Sequence, residues 1–175
     1  MASHTFAARR LQRECKSMIE DPPEGIVAGP SSPGNMFEWS IFIAGPPGCV
    51  YEHGCFEGKL TFPKDYPMAP PVLRFSPPIW HPNVYWEGER AGEVCISILH
   101  NGRDATGYEA DAERWSPVRS VSAVLLSVMS ILAEPNAESP ANCDAAKQMR
   151  DDPEGFHARA QAAVRRSLGL SGRAA

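Results

Sequence analysis

Residues 81–100, HPNVYWEGERAGEVCISILH, bring together side chains that could do chemistry. Cys95 follows a polar, glycine-containing loop and precedes an apolar run, so its thiol is expected where exposed loop enters packed structure. Such a thiol is nucleophilic even at its ordinary acidity. Asn83 carries an amide that could donate to an oxyanion or simply form a turn after proline. The segment predicts nucleophilic catalysis, with a buried structural cysteine as the alternative.

Other catalytic arrangements find less support. His81 and His100 flank the segment, but the sequence shows no partner that would orient either ring, and no cysteine-protease signature is present. Zinc binding by Cys49, His53 and Cys55 is disfavoured because no second ligand pair follows at a finger-like spacing. The five scattered cysteines are expected to be free thiols, and no metal site is expected.

The charges are distributed unevenly. The net charge of −4 argues against a general nucleic-acid binder, which needs a surplus of lysine and arginine. Residues 87–113 hold seven acidic side chains and two arginines. Four of the seven acidic residues lie between Cys95 and Trp115. This acidic segment could attract a cation such as a lysine side chain, or it could be an ordinary solvated loop.

Hydrophobic periodicity predicts the elements that must position these residues. Apolar side chains recur at steps of three and four over residues 3–19, which is typical of an amphipathic helix. Period-two alternation over residues 37–43 and 56–62 predicts neighbouring antiparallel strands. The proline-rich stretch that follows leaves room only for a short strand at residues 72–75.

Helices are expected again after this stretch. Residues 121–132 are almost fully apolar and predict a core helix. Ser139-Pro140 and Asp152-Pro153 each have the pattern of a cap followed by proline at the first helical position, which predicts two more helices. Helix, strands and then helices in this order predict an α+β fold with an antiparallel sheet.

The chain organisation is simple. No internal repeat or linker is present, so residues 1–170 are expected to form one domain and residues 171–175 a short tail. No run of roughly 18 apolar residues occurs, and the N-terminal residues lack the apolar stretch of a secretory signal. Neither membrane insertion nor export is therefore expected.

Five motifs in a fixed order resemble the catalytic domain of the ubiquitin-conjugating enzymes. They are YPMAPP at 66–71, HPNVY at 81–85, GEVCISILH at 92–100, ERWSP at 113–117 and AEPN at 133–136. The resemblance covers residues 3–170 and implies a UBC-like fold: an N-terminal helix, a four-stranded antiparallel meander sheet and three further helices. The acidic segment is similar to that of a subfamily with an extended loop after the cysteine. Members of that subfamily build lysine-linked ubiquitin chains, including in degradation at the endoplasmic reticulum.

This resemblance implies a role for each motif. Cys95 would take the C-terminal glycine of ubiquitin from an activating enzyme and pass it to a substrate lysine or a ligase cysteine. Asn83 would stabilise the oxyanion or hold the loop that shapes the site, and His81 would be chiefly structural rather than a general base. No cofactor would be needed. The loop around the site would comprise His81, His100, Asp104, Tyr108, Glu109, Asp111 and Glu113.

The resemblance also implies partner surfaces. The basic face of the first helix would meet the activating enzyme through Arg9, Arg10, Arg13 and Lys16. Two loops would meet a RING-type ubiquitin ligase through Phe62, Pro63, Trp115, Ser116 and Pro117. An exposed Phe62 would be telling evidence of an interface, whereas the large side chain of Trp115 could belong to the core. The expected location is the cytoplasm, with the nucleus as an alternative and a partner needed for recruitment to the endoplasmic reticulum.

One departure and two alternatives accompany the resemblance. Asn83 and Cys95 are separated by 12 positions, about four more than is usual in the family, so residues 86–92 contain an insertion. The chain could serve a different ubiquitin-like modifier, or it could be a non-catalytic module that only binds ubiquitin. Cys95 argues against the second alternative.

Overall fold

Helix α1 (Ala2–Glu20) begins the fold and packs against the first two strands of a sheet. The computed structural model describes residues 2–170, with side chains from residue 6 onward, so the predicted tail at residues 171–175 lies outside the described residues. The spacing of Ala7, Leu11 and Met18 places all three on the buried face of α1, as the periodicity predicts.

Four antiparallel strands form a meander in the order of the sequence. They are β1 (Ile26–Ser32), β2 (Asn35–Ala44), β3 (Cys55–Thr61) and β4 (Val72–Phe75). Alternate residues of β3, including Phe56 and Leu60, are buried while their neighbours are exposed. This alternation is the pattern of a sheet with one face on the core and one face toward solvent. The predicted α+β fold and its sheet are confirmed.

Three helices complete the fold: α2 (Val121–Ala133), α3 (Cys143–Asp151) and α4 (Pro153–Ser167). Asp152 caps α4 by accepting a hydrogen bond from the Gly155 amide, and Pro153 occupies the first turn, as predicted. The helix start predicted at Ser139-Pro140 is wrong, because α3 begins three residues later.

The start of α3 is set by Asn142. Its Oδ1 accepts a hydrogen bond of 3.0 Å from the backbone amide of Ala145, and its backbone amide donates to the carbonyl of Pro82 at 2.9 Å. The Asn142 side chain thus caps the helix, and its backbone ties the helix start to the His81–Asn83 turn. Within residues 2–170, no helix combines the length and apolar character that crossing a membrane requires.

Candidate active site

Cys95 lies between two short elements that hold its backbone. Val84 and Val94 form an isolated bridge just before it, and a 3-10 helix at Ser97–Leu99 follows it. Its amide donates to the carbonyl of Asn83 at 2.9 Å. The half-buried thiol faces a cleft of about 130 Å³. The sulfur is therefore accessible, which a nucleophile needs and a fully buried cysteine lacks.

The insertion at residues 86–92 closes on itself at its base. The amide of Gly92 donates to the carbonyl of Tyr85 at 2.7 Å, and the amide of Tyr85 donates to the carbonyl of Glu93 at 3.0 Å. Gly92 has a φ of 81°, and a Cβ there would lie 2.2 Å from the carbonyl oxygen of Phe75. The extra residues consequently leave the contact between Asn83 and Cys95 in place.

His100 supplies a basic nitrogen beside the sulfur. Its Nε2 lies 3.3 Å from Cys95 Sγ, and its Nδ1 lies 2.8 Å and 3.0 Å from the two carboxylate oxygens of Glu109. An ionised carboxylate only accepts hydrogen bonds, so Nδ1 carries the hydrogen of a neutral ring and Nε2 is left as an acceptor. The arrangement can move a proton from the thiol to His100.

Glu109 is the orienting partner of His100, and the sequence did not reveal it as such. Its carboxylate accepts a hydrogen bond of 3.0 Å from Ser97 Oγ and another from Arg114 Nη1. Partial burial opposes ionisation, but the hydrogen bonds from His100 and Ser97 and the charge of Arg114 outweigh it, so the pKa of Glu109 is lowered. Cys95, His100 and Glu109 are therefore connected by successive short contacts.

Arg114 and Asp104 shape the loop that carries Glu109. Arg114 donates from Nε to the carbonyl of Gly102 at 2.7 Å and from Nη2 to the carbonyl of Asn101 at 2.9 Å. Asp104 accepts from the amides of Glu109 and Thr106, both at 2.9 Å, and these hydrogen bonds lower its pKa. Asp104 thus organises the backbone of the predicted active-site loop.

The other acidic-loop residues face solvent. Tyr108 is exposed and donates to Glu138 at 3.3 Å, Asp111 pairs with Arg103 at 3.3 Å, and Glu113 is exposed. These contacts leave the three predicted residues outside the cleft that Cys95 faces, whereas His100 and Glu109 line it.

Asn83 holds a second loop against the cleft. Its Nδ2 donates to the carbonyl of Asn136 at 2.9 Å, and its Oδ1 accepts from the amide of Asn136 at 2.9 Å. One hydrogen of Nδ2 is left for another acceptor. The structure therefore gives the side chain a positioning contact with the loop at Asn136.

Both ring nitrogens of His81 are used internally. Nδ1 accepts from the amide of Asn83 at 2.9 Å, which leaves Nε2 to donate to the carbonyl of Ile131 at 2.8 Å. Burial lowers the pKa of His81 to about 4, although the hydrogen bond to Ile131 acts in the opposite direction. The buried, neutral ring supports the turn and offers no lone pair to a substrate.

Tyr85 approaches Cys95 as well, and sequence analysis missed it. Its hydroxyl lies 3.8 Å from Cys95 Sγ and accepts a hydrogen bond of 2.7 Å from Arg90 Nη1. Arg90 belongs to the insertion, and its guanidinium lies 3.9 Å from the centre of the Tyr85 ring. In the sequence, the only indication was that the insertion at residues 86–92, close to Cys95, contains Arg90.

Comparison with known proteins identifies the family. The family model for ubiquitin-conjugating enzymes matches residues 10–164. The chain belongs to the ubiquitin-conjugating enzyme family. It is 53% identical over 165 residues to ubiquitin-conjugating enzyme E2 G2 of Homo sapiens, which covers 94% of this chain and 98% of that protein. It is also 49% identical over 169 residues to ubiquitin-conjugating enzyme E2-18 kDa of Schizosaccharomyces pombe, covering 96% and 99% of the two chains.

The surface predicted to meet the activating enzyme needs one correction in this ubiquitin-conjugating enzyme. Arg9, Arg13 and Lys16 are exposed on α1, as a docking surface requires. Arg10 is instead held by the buried carboxylate of Glu14 at 2.7 Å, so its charge is already paired.

Glu14 joins three parts of the fold. Besides Arg10, its carboxylate accepts from the Tyr66 hydroxyl at 2.7 Å and from the Val121 amide at 2.6 Å. The side chain of Arg10 also donates to the carbonyl of Arg119 at 2.9 Å. Arg10 therefore stabilises the contact of α1 with the start of α2 and is a poor candidate for a free docking charge.

The predicted ligase surface needs a correction too. Phe62 is only 4% exposed, and its ring lies 5.3 Å from Trp39 and 5.0 Å from Tyr66, so it belongs to the core and lacks the exposed tip required of it. Met68 on the same loop is 57% exposed. Sequence reasoning missed Met68 because an apolar residue within a proline-rich run carries no periodicity that shows which way it points.

The second ligase loop keeps part of its predicted surface. Trp115 is buried and donates from Nε1 to the carbonyl of Pro67 at 2.8 Å, which fixes the two loops side by side. Pro63 and Ser116 are half-buried, while Pro117 is exposed next to Val118, which is 85% exposed. Met68, Pro117 and Val118 are thus exposed apolar residues on these two loops.

Proposed function

We propose that this ubiquitin-conjugating enzyme accepts ubiquitin as a thioester on Cys95 and transfers it to a lysine with the help of a RING-type ligase. One observation carries the proposal: an accessible Cys95 thiol stands 3.3 Å from His100 Nε2, whose other nitrogen is held by Glu109. This geometry prepares a sulfur nucleophile, which is the group that thioester exchange needs.

Loading is a transthiolation. The Cys95 thiol gives its proton to His100 Nε2, and the sulfur attacks the carbonyl carbon of the ubiquitin glycine held on a cysteine of the activating enzyme. A new carbon–sulfur bond forms to Cys95, the old one breaks, and its electron pair leaves with the sulfur of the activating enzyme, which takes up the proton from His100. The product keeps the acyl group activated toward amines, so this chain needs no cofactor and no further ATP.

Transfer is an aminolysis of that thioester. The lysine nitrogen attacks the carbonyl carbon, its surplus proton passes to His100 Nε2, and the electron pair of the broken carbon–sulfur bond returns to Cys95. The free Nδ2 hydrogen of Asn83 is suited to donate to the oxyanion, since Asn83 lines the same cleft. Glu109 acts through His100 as a positioning residue.

The resemblance to the extended-loop subfamily supports a finer proposal about the product. We propose that the enzyme builds lysine-linked ubiquitin chains that direct proteins to proteasomal degradation. Its partners are then ubiquitin, the activating enzyme, a RING-type ligase and the lysines of protein substrates. The cytoplasm is the proposed location, with a partner that recruits the enzyme to the surface of the endoplasmic reticulum.

A loading assay tests the proposal directly. The protein is mixed with activating enzyme, ATP and ubiquitin, and separately with other ubiquitin-like modifiers. We expect a thiol-sensitive ubiquitin adduct with the wild type, a more stable oxyester with Cys95→Ser and no adduct with Cys95→Ala. A thiol-sensitive adduct on Cys95→Ala would remove Cys95 as the acceptor, and loading by another modifier alone would reassign the substrate.

A further inference from the structure

We infer that Arg90, supplied by the insertion, orients the hydroxyl of Tyr85 so that it donates a hydrogen bond to the Cys95 sulfur when the thioester breaks. This inference rests on the proposed function and adds two residues to it. Tyr85 is the group that touches the reacting sulfur, and Arg90 is a positioning residue that acts through Tyr85.

The direction of each hydrogen bond follows from donor chemistry. A guanidinium has only donors, so the 2.7 Å contact between Arg90 Nη1 and the Tyr85 oxygen uses the phenol as an acceptor. The single hydrogen of the phenol is then free for another partner, and Cys95 Sγ lies 3.8 Å from the oxygen. The pKa of Tyr85 is raised, first by burial and then by its contact with Cys95, so the phenol keeps its hydrogen at neutral pH.

Arg90 is held in place from two directions. Its guanidinium lies 3.9 Å from the centre of the Tyr85 ring, within the range of a cation–π contact. Its Nε donates to Glu93 Oε1 at 2.8 Å, and the other oxygen of Glu93 accepts from Arg74 Nη2 at 2.9 Å. Arg74 lies on β4, so the Glu93 carboxylate anchors the insertion to the sheet.

The sulfur therefore meets two different groups. His100 Nε2 offers a lone pair at 3.3 Å, whereas Tyr85 offers a hydrogen at 3.8 Å. During aminolysis the lysine nitrogen bonds to the carbonyl carbon, its proton goes to His100, and the electron pair of the carbon–sulfur bond collects on Cys95. A phenol hydrogen aimed at the sulfur stabilises this developing charge without giving up its proton.

The test measures discharge of preformed ubiquitin thioester to free lysine in single turnover. The variants are Tyr85→Phe, Arg90→Ala and the double variant, with Arg103→Ala as the matched control. Arg103→Ala also removes one exposed cation, but that cation pairs with Asp111 at 3.3 Å outside the cleft. We expect Tyr85→Phe to slow discharge about tenfold, the size of a lost hydrogen bond to a charged atom. Arg90→Ala should slow it several-fold and Arg103→Ala less than twofold.

The double variant separates positioning from general support of the loop. If Arg90 acts through the hydroxyl, Arg90→Ala has no further effect once Tyr85 is phenylalanine, and added guanidinium speeds Arg90→Ala but not the double variant. Discharge of Tyr85→Phe at the wild-type rate would overturn the inference, as would an equal effect of Arg90→Ala in both backgrounds. Failure of the wild type to load at Cys95 would instead overturn the proposed function, and this inference with it.

Discussion

His81 should make the stability of the fold depend on pH in a way that a non-titrating replacement removes. The buried ring has a pKa of about 4, whereas an unfolded histidine titrates near 6.5. Between these values the unfolded chain binds the proton and the folded chain does not. The stabilisation is therefore complete above about pH 6.5 and is lost as the pH falls toward 4.

The size of the effect follows from the same two values. A difference of about 2.5 in pKa corresponds to about 3 kcal/mol in total, of which about 2.5 kcal/mol is lost by pH 4.5. The physical cause is burial of the ring, which disfavours its charged form. A proton on Nδ1 would also displace the hydrogen bond of 2.9 Å that this nitrogen now accepts from the amide of Asn83. Acid should thus loosen the turn that carries Asn83.

Urea unfolding of the wild type and of His81→Gln at pH 7 and pH 4.5 measures the effect. Glutamine can keep one donor and one acceptor but does not titrate, and the carboxylates that both proteins share cancel in the comparison. We expect the wild type to lose about 2.5 kcal/mol more than the variant between the two pH values. The same loss in both proteins would refute the assignment of a buried neutral ring.

Three further predictions test other parts of the structure. Glu109→Gln should slow discharge of the thioester about tenfold in the same single-turnover assay, because His100 loses a charged partner. Asp111 pairs with exposed Arg103, so the control Asp111→Asn should change the rate less than twofold. Met68→Ala should weaken binding of a RING-type ligase about fivefold in titration calorimetry and leave loading unchanged, and unaltered affinity would move the ligase surface elsewhere. Gly92→Ala should lower the free energy of unfolding by about 2 kcal/mol or more, and Gly88→Ala by about 1 kcal/mol. Both glycines have a positive φ, but only a side chain at Gly92 would clash with Phe75. Equal losses in urea unfolding would contradict the clash.

Local patterns predicted the elements of the fold well. The spacing of apolar residues in α1 and α2 and the alternation in β2 and β3 reflect which side of each element faces the core, and that is a property of neighbouring residues. The start of α3 was the exception. Two cap-like residues were available, Ser139 and Asn142, and the contact of Asn142 with the distant carbonyl of Pro82 decided between them.

The candidate active site was also predictable from the sequence only in part. Sequence motifs predicted Cys95 as the candidate nucleophile and Asn83 and His100 as its neighbours, because these residues lie within one continuous segment. They did not indicate that Glu109 orients His100, since that contact requires the acidic loop to fold back through Arg114 and Asp104.

The sequence by itself determined the family, the fold class and the identity of the candidate nucleophile, because each of these follows from the spacing of nearby residues and from the order of the motifs. Only the tertiary structure decided which charged and apolar side chains are free to act. In the folded protein Phe62 is buried in the core, Arg10 pairs with Glu14, and Arg90 donates a hydrogen bond to Tyr85. The physical reason is that exposure and hydrogen-bond direction depend on partners distant in the chain, and a linear pattern carries no information about which distant donor meets which acceptor.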